Sequence, residues 1–319
     1  MKILITGGAG FIGSHLSEYH LKKKDEVCVI DNLITGSKEN IKKLLKNSQF
    51  HFYEEDLLTF DFSSEHSGLT FNFDIIYHLA SPASPIQYKK YPVETLLVNS
   101  QGTHRLLEFM KKNNCKVFVL ASTSEVYGDP QMHPQPESYW GNVNPYGVRS
   151  CYDEGKRFAE AITMTYFRNY HCDVRIARIF NTYGSNMEKQ DGRVVSNFIL
   201  QSLTNQPITI YGDGKQTRSF CYISDMVEGL YLLSTTPGIS GEVINIGNTE
   251  EYTILELAQI IKKAVQADSP IIHTSIGEDD PNRRKPDISK AKKLLRWFPK
   301  ISFEAGLEKT IMYFKSRFV

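Results

Sequence analysis

The sequence contains little of what marks a membrane-spanning, secreted or nucleic-acid-binding protein. No apolar run is long enough to span a bilayer. The net charge of +1 provides no electrostatic attraction to nucleic acid or to anionic lipid. The opening residues, MKILITGG, predict a first strand rather than a signal peptide, because glycines interrupt the apolar run early. We therefore expect no nucleic-acid partner and no membrane partner.

Cysteine is sparse, and its spacing forms no recognisable motif. The five cysteines are odd in number and scattered, without a Cys-x-x-Cys pair. The sequence therefore predicts neither a disulfide framework nor a zinc site. We expect reduced thiols, a cytoplasmic location and no metal. Internal repeats and low-complexity segments are also missing, and the 319 residues can form one large domain or two smaller ones.

Apolar, β-branched runs alternate with helical patterns through the first half of the chain. Such alternation is typical of a parallel sheet covered by helices on both faces. We predict an α/β protein, a Rossmann-type doubly wound parallel sheet with a smaller C-terminal substrate-binding lobe. The main domain is placed at residues 1–182 and the lobe mainly at 183–319, with later segments such as 215–250 returning to the main domain.

A glycine-rich turn follows the first predicted strand. GGAGFIG places Gly7, Gly10 and Gly13 in Gly-x-x-Gly-x-x-Gly spacing, directly before a helical pattern. Glycine lets the backbone approach a pyrophosphate closely, and the helix N-terminus offers it unpaired N–H groups. The second strand ends in Asp31, an acid that would accept from ribose hydroxyls and repel a 2′-phosphate. The main domain is therefore predicted to bind NAD; a purely structural turn is the alternative.

A tyrosine and a lysine lie four residues apart in SCYDEGK. Tyr152 and Lys156 would share one face of a helix predicted over residues 150–170. A lysine ammonium beside a phenol, with a nicotinamide cation nearby, should lower the pKa of the phenol toward neutral. Such a tyrosine can take a proton from a sugar hydroxyl while NAD takes the hydride. At this spacing alone, an exposed surface pair is the commoner case.

Polar residues end the fifth predicted strand, KVFVLA. Thr123, Ser124 and Glu125 follow a run that reads as a strand buried on both faces, where an acid would normally be avoided. A helix cap or an ion pair would be a structural explanation for Glu125. The Tyr–Lys pair about 30 residues downstream favours a catalytic site instead.

Together these motifs resemble the extended short-chain dehydrogenase/reductase family, in its NAD-dependent epimerase/dehydratase branch, over nearly the whole chain. The resemblance implies a triad of Thr123, Tyr152 and Lys156, with Asn99 supporting the site. It also implies a homodimer formed by two helices from each subunit. Asp56 and Leu57 either bind the adenine or cap a helix or turn. The expected cofactor-binding residues are Gly7, Gly10, Phe11, Ile12, Gly13, Asp31, Asn32, Asp56, Leu57, Leu79, Ala80, Asn99, Tyr152 and Lys156.

The Thr-Ser-Glu set distinguishes between members of this branch. Dehydratases carry Asp where Ser124 stands, and simple 4-epimerases usually lack Glu125. The set and strings such as HLASPASP (78–85) and RSCYDEGKR (149–157) are similar to those of UDP-glucuronate decarboxylases. This resemblance implies conversion of UDP-glucuronate to UDP-xylose through C4 oxidation, loss of carbon dioxide and re-reduction by bound NADH. The alternatives are a 4-epimerase, a 4,6-dehydratase, a decarboxylase releasing the 4-keto pentose, or a non-catalytic NAD sensor.

The same resemblance implies a role for each catalytic residue. Tyr152 would be the base, Lys156 would tune it, and Thr123 would orient the C4 oxygen. Glu125 would position the sugar ring near C5, with Ser124 beside the departing carboxylate. Arg284 would reach the phosphates or the sugar carboxylate and serve during protonation at C5, with Arg283 as a competitor. The expected substrate-binding residues are Pro85, Tyr88, Asn181, Arg193, Tyr211, Arg218 and Arg284.

The sequence departs from that group at two places. Ser185 and Asn186 stand where many members have Pro-Arg, which removes a charge near the phosphate loop. Tyr146 and Val148 replace the usual isoleucine and proline just before the catalytic helix, where they could reshape the sugar pocket. These changes do not alter the expected reaction class, but they leave the substrate and product open.

Overall fold

The structure, a computed structural model, describes residues 1–62, 72–275 and 282–318. Fourteen strands lie in this part of the chain. The first six are β1 (Lys2–Thr6), β2 (Glu26–Ile30), β3 (Phe50–Tyr53), β4 (Ile75–His78), β5 (Val117–Thr123) and β6 (Val174–Ile179). The others are β7 (Thr182–Tyr183), β8 (Ile208–Tyr211), β9 (Thr217–Ser219), β10 (Cys221–Tyr222), β11 (Val243–Ile246), β12 (Glu251–Thr253), β13 (Ile271–Thr274) and β14 (Arg283–Arg284).

Eleven α-helices accompany the strands in the described residues. The first six are α1 (Phe11–Lys22), α2 (Lys38–Ile41), α3 (Pro85–Lys90), α4 (Pro92–Leu97), α5 (Thr103–Asn113) and α6 (Ser150–Tyr170). The others are α7 (Val194–Leu203), α8 (Ile223–Thr235), α9 (Ile254–Val265), α10 (Ser289–Leu295) and α11 (Phe303–Phe318). Short 3₁₀ turns cover Leu44–Lys46 and Ser124–Tyr127.

A seven-stranded parallel sheet in the order β11-β6-β5-β4-β1-β2-β3 forms the centre of the molecule. All seven residues of β5 are buried, as expected for a strand covered by helices on both faces. The strand order reverses beside β1, because the chain first builds outward to β3 and then returns to place β4 on the other side of β1. The predicted doubly wound Rossmann-type sheet is confirmed.

The chain after β6 forms three small sheets, which pair β10 with β7, β9 with both β12 and β14, and β13 with β8. One later strand joins the main sheet instead, since Val243 in β11 lies opposite Ile176 in β6. The capping box predicted at Thr253 and Glu256 is present at the start of α9, where each side chain bonds the backbone of the other.

The segment PVETLLVNSQGTHRLLEFMKK (92–112) has a helical pattern throughout, but its helix contains an interruption. A π-helical turn over Val98–Gly102 separates α4 from α5. Such turns insert a residue into a helix and are frequent at functional sites. Here the turn places Asn99 on the sheet side, fully buried, with its amide Nδ2 donating to Ser81 Oγ at 2.8 Å.

A buried ion pair fixes α6 against the sheet. Arg178 in β6 donates from Nε and Nη2 to the carboxylate of Glu160 at 2.9 and 2.7 Å, and both side chains are 12% exposed. Ser122 Oγ donates to the same carboxylate at 2.6 Å. Because Ser122 directly precedes Thr123, this pair helps to hold the end of β5 in register with the helix that carries Tyr152.

We expect Glu160→Ala to lower the free energy of unfolding by roughly 3–5 kcal/mol, because it leaves Arg178 buried without its counter-ion. Glu39→Ala is the control, since the Glu39–Lys42 pair is exposed and should change stability by about 0.5 kcal/mol or less. Urea denaturation of both variants measures the difference. Equal effects of the two substitutions would show that the buried pair does not stabilise the helix–sheet contact.

Candidate active site

A cavity of about 660 Å³ runs along the carboxyl ends of the parallel strands. Its wall includes Gly7 after β1, Asp31 after β2, Ala80 after β4, Thr123 at the end of β5 and Asn181 after β6. The carboxyl ends of parallel strands are where open α/β sheets bind ligands, at the point where strand order reverses. The sheet topology therefore brings together residues that are widely separated in sequence.

The glycine turn is shaped for close backbone approach. Gly7 has φ +76°, and a Cβ there would lie 2.7 Å from the backbone nitrogen of Ala80. A Cβ on Gly13 would lie 2.2 Å from the carbonyl oxygen of Gly7, so the turn and the start of α1 cannot accept a side chain at this point. A Cβ on Gly10 would meet only that same oxygen, at 3.2 Å. The turn therefore exposes backbone atoms, with no side chain over them, to the cavity. This leaves room for a pyrophosphate.

Acidic side chains line the far end of this cavity. Asp31 Oδ2 accepts from Ala9 N and Oδ1 accepts from Leu33 N, each at 2.9 Å. Burial raises the pKa of Asp31. Asn32 Nδ2 donates to Asp56 Oδ2 at 2.9 Å, so the two loops after β2 and β3 are joined. The other expected cofactor residues on the wall are Phe11, Ile12, Leu57 and Leu79.

Tyr152, Lys156 and Thr123 meet at the middle of the cavity. Lys156 Nζ donates to Ala121 O at 2.8 Å and lies 6.0 Å from the centre of the Tyr152 ring. Burial lowers the pKa of Lys156 to about 7. Burial raises the pKa of Tyr152 to about 12, although its hydrogen bond with Thr123 acts in the opposite direction. Burial therefore keeps the phenol's pKa above its usual value in the chain alone, and the lysine ammonium bonds a backbone carbonyl.

The phenol ring of Tyr152 is held by a second tyrosine. Tyr88 in α3 stacks on it with ring centres 5.1 Å apart and an interplanar angle of 6°. Within the described ranges, the buried Tyr88 hydroxyl has no hydrogen-bond partner, and Tyr88 lines the cavity beside Pro85. A buried hydroxyl without a partner is costly, so it is suited to bonding a ligand.

Glu125 is held between two arginines. Its Oε2 pairs with Arg149 Nη2 and lies 3.3 Å from Arg284 Nη2. Burial alone would favour the neutral acid, but the charges of Arg284 and Arg149 lower the pKa of Glu125 to about 2. The carboxylate is therefore ionised at any physiological pH and cannot act as a proton donor there.

Arg284 lies behind the cavity wall. Its side chain is 1% exposed and donates to Ser124 O and, at 3.0 Å, to Gly128 O. A guanidinium has five donors and no acceptor. Here the two carbonyls and Glu125 bond Nη1 and Nη2, whereas the buried Nε has no hydrogen-bond partner among the described residues. Arg284 thus contacts the Ser124–Gly128 segment, and its contact with the phosphates or the sugar carboxylate stays a prediction.

The expected substrate residues Asn181, Arg193, Tyr211 and Arg218 all line the other half of the cavity. Arg193 Nε pairs with Asp191 Oδ1 at 3.0 Å, and Arg218 Nη1 donates to Thr217 O at 2.9 Å. Tyr211 is 54% exposed at the rim. Two cationic side chains in one half of the cavity suit a diphosphate.

Comparison with known proteins agrees with this geometry. A family model described as GDP-mannose 4,6 dehydratase matches residues 4–310. The chain belongs to this family of NAD-dependent epimerases and dehydratases. Among the relatives, UDP-glucuronic acid decarboxylase 1 from Arabidopsis thaliana is 50% identical over 99% of this chain and 70% of its own length. The resemblance predicted from the motifs is therefore confirmed.

Two further family members are similar over most of their length. UDP-glucuronic acid decarboxylase 3 from Arabidopsis thaliana is 52% identical over 96% of this chain and 87% of its own. The crystal structure of the UDP-glucuronic acid 4-epimerase from Bacillus cereus, in complex with UDP-glucuronic acid and NAD, superposes with a TM-score of 0.90. It is 34% identical, with 99% of each chain covered.

Sequence reasoning missed one residue of this family site. Arg149 lines the cavity and bonds Glu125, yet it was not among the expected residues. It stands three residues before Tyr152, where a helical turn brings it to the same side of the helix. The signal was thus present in the string RSCYDEGKR. Asn99 does not line the cavity; it lies behind Ser81, which does.

The two departures from the decarboxylase pattern lie in different surroundings. Asn186 Nδ2 donates to Ser14 Oγ at 3.0 Å, and Ser185 O lies 2.9 Å from His15 Nε2, so this loop docks onto α1. Tyr146 is 90% exposed and does not line the cavity, nor does Val148. The possibility that Tyr146 and Val148 reshape the sugar pocket therefore finds no support in their positions.

In the part of the chain that the structure covers, no helix combines the length and the apolar character needed to cross a membrane.

All five cysteines are unpaired and buried. Burial raises the pKa of the thiols of Cys28 and Cys115 to about 12, so both remain protonated.

We expect Glu125→Gln to lower the free energy of unfolding by about 3 kcal/mol at pH 7, because the buried Arg284 loses its counter-ion. A carboxylate whose pKa is lowered stabilises the fold above its usual pKa, and the contribution is lost as the pH falls toward about 2. The difference between variant and wild type should therefore shrink below pH 4.5.

Glu154→Gln is the control, since this carboxylate also pairs with an arginine, Arg157, but is 37% exposed. It should alter stability by about 0.5 kcal/mol or less at every pH. Chemical denaturation at several pH values measures both. A Glu125→Gln effect that does not depend on pH would contradict the ionised state assigned to this carboxylate.

Proposed function

We propose that this chain converts UDP-glucuronate to UDP-xylose with bound NAD. The main support is that one cavity is lined by Thr123, Ser124 and an ionised Glu125 together with Tyr152. An ionised Glu125, and a serine where a dehydratase has its acid, leave no carboxylic acid to expel water from C6. Relatives that are 50–52% identical are named UDP-glucuronic acid decarboxylases, which supports the same reaction.

The chain's residues fit NAD. The bare backbone of Gly7, Gly10 and Gly13 would lie against the pyrophosphate, and the carboxylate of Asp31 would accept from the ribose hydroxyls. The same carboxylate would repel a 2′-phosphate, which favours NAD over NADP. Asn32, Asp56 and Leu57 would hold the adenosine end. When bound, NAD would supply a hydride acceptor for C4 and later return the hydride.

Tyr152 would take the proton from the C4 hydroxyl. Its phenol hydrogen-bonds Thr123, which would orient the C4 oxygen. Lys156, one helical turn along, would stabilise the phenolate when it carries its charge. Because the site is buried, the charge of Lys156 would attract the phenolate more strongly than at an exposed site. Tyr88 would fix the plane of the reactive ring.

The remaining chemistry needs no acid from the protein at C6. Oxidation at C4 makes the sugar a β-keto acid, whose C5 carboxylate leaves as carbon dioxide while the electron pair moves into the C4 carbonyl. A proton from solvent would then add at C5, and return to C4 of the hydride removed in the first step would reduce the ketone. We assign Glu125 to holding Arg149 at the sugar end of the cavity, with Ser124 beside the departing carboxylate. Arg284 would position Glu125 from behind.

The nucleotide end of the substrate would lie on the later part of the chain. Arg193 and Arg218 would bind the diphosphate, with Asn181 between them and the sugar and Tyr211 near the uracil. This assignment corresponds to a NAD-binding domain over 1–182 and a mainly substrate-binding lobe over 183–319. Strand β11 would return from that lobe to the main domain.

We further propose a cytoplasmic homodimer. Buried, unpaired cysteines suit a reducing compartment. Helices α4 and α6 expose apolar side chains, with Val93 59%, Leu96 42% and Phe158 50% exposed. A pairing of these two helices with those of a second copy would bury them.

Turnover tests this function. The protein would be incubated with UDP-glucuronate and substoichiometric NAD, and the nucleotide sugars followed by NMR together with carbon dioxide release. We expect UDP-xylose and one carbon dioxide per substrate. Accumulation of UDP-galacturonate would instead identify a 4-epimerase, and accumulation of UDP-4-keto-pentose with NADH would identify a decarboxylase that stops before the reduction.

We expect Tyr152→Phe to reduce kcat by roughly 10²–10⁴-fold, because the proton acceptor is removed while the stacked ring remains. The affinity for NAD, measured by calorimetry, should stay near the wild-type value. Tyr146→Phe is the control, since this phenol is 90% exposed outside the cavity, and its activity should be unchanged. Near-normal turnover by Tyr152→Phe would refute the assignment of the base.

A further inference from the structure

A second carboxylate, besides that of Glu125, lies beside Arg149. Asp153 follows Tyr152 in the first turn of α6, and its residue is 7% exposed. Its Oδ2 lies 3.9 Å from Arg149 Nε. Among the residues that the structure describes, its buried Oδ1 has no hydrogen-bond partner. Neither the motif analysis nor the reaction described above gives this side chain a role.

The arrangement places more carboxylates around Arg149 than one guanidinium can neutralise. Glu125 pairs with its Nη2, and Asp153 approaches its Nε at 3.9 Å. A uronate carboxylate entering beside Arg149 would be the third anion in this space. Arg284 already serves Glu125 and two backbone carbonyls. A buried, unsatisfied carboxylate next to an incoming anion is strongly disfavoured unless it becomes neutral.

The charged and titratable groups around Asp153 come from every element packed on it. They are Glu125 after β5, Tyr88 in α3, Tyr152, Glu154 and Arg149 in or beside α6, and Arg284 in β14. Burial, followed by the charge of Glu125, raises the pKa of Asp153 to about 7, although Arg149 and Arg284 act in the opposite direction. Asp153 can therefore change its charge close to neutral pH.

We propose that Asp153 is a positioning residue that takes up a proton when a uronate carboxylate binds beside Arg149. This inference rests on the proposed function and extends it to substrate selection. The proton comes from solvent and neutralises Asp153, so that Arg149 faces Glu125 and the substrate anion alone. The product has no C5 carboxylate; on its formation Asp153 returns the proton to solvent. The proton exchange favours the acidic sugar over neutral hexoses and over the product.

Proton uptake on binding measures this directly. UDP-glucuronate and UDP-glucose would each be titrated by calorimetry at pH 7.5, in buffers of different ionisation enthalpy, into protein loaded with NADH, which cannot oxidise C4, so that only binding is measured. A pKa of about 7 leaves Asp153 roughly three-quarters ionised at that pH. We therefore expect wild type to take up about 0.7 proton with UDP-glucuronate and close to none with UDP-glucose.

Two variants test whether Asp153 is the group involved. Asp153→Asn keeps the shape of the neutral form, and Asp153→Ser removes the carboxyl; both should abolish the uptake. Asp153→Asn should also lose the weakening of UDP-glucuronate binding that wild type shows between pH 6.5 and 8.5, about tenfold or more. Glu154→Gln, a neighbouring exposed acid, should behave as wild type. Thermal unfolding of each variant verifies its fold.

Retention of the uptake in Asp153→Asn would overturn the proposal, as would equal uptake with both sugars or none with UDP-glucuronate. Titration of Tyr152 or Lys156 would produce the first of these results. Failure of the proposed function shows up separately, as lack of UDP-xylose in the turnover assay, because the proton count depends on binding alone.

Discussion

The ion cluster around Glu125 is the interaction on which the site depends. Arg149 lies 24 residues after this carboxylate and Arg284 lies 159 residues after it, so the cluster joins the end of β5, the start of α6 and the strand β14. A buried carboxylate with two guanidinium partners stays charged, and each partner would be left uncompensated without it. The cluster therefore fixes the wall of the cavity beside Tyr152 and connects the later part of the chain to the main sheet.

This electrostatic arrangement also limits the chemistry. A site that holds its strand-end acid permanently ionised cannot donate a proton from it, and the serine beside it is no stronger an acid. In the proposed reaction, the buried tyrosine and lysine would supply proton transfer at C4 instead. A reaction in which oxidation at C4 itself makes the neighbouring carboxylate labile suits such a site, because the leaving group departs without protonation. The arginines would serve binding and orientation.

Much of the fold was predictable because local signals and tertiary structure agree. The glycine turn between a strand and a helix, the helix over 150–170 and the capping box at Thr253 are each specified by a few neighbouring residues. The doubly wound sheet follows from alternating apolar runs. The residues around the cofactor cleft follow as well, since parallel strands bring their carboxyl ends to one edge.

Other features depend on packing that no local pattern records. Arg284 was expected on the substrate; the chain folds it beneath the strand end, where carbonyl oxygens and Glu125 bond its Nη1 and Nη2. The phenol of Tyr152 was expected to be acidified by Lys156, but burial dominates its pKa and the lysine bonds Ala121. The interruption of the helix at Val98–Gly102 was likewise not visible, because its sequence is compatible with a regular helix.

The central claim is that C4 of a hexuronic acid is oxidised and reduced again within one binding event, with decarboxylation between the two steps. UDP-glucuronate carrying deuterium on C4 tests this most directly, with NMR and mass spectrometry of the product and with unlabelled NAD in excess. The account predicts UDP-xylose that retains the label on C4. Product without the label, or label recovered in free NADH, would contradict it.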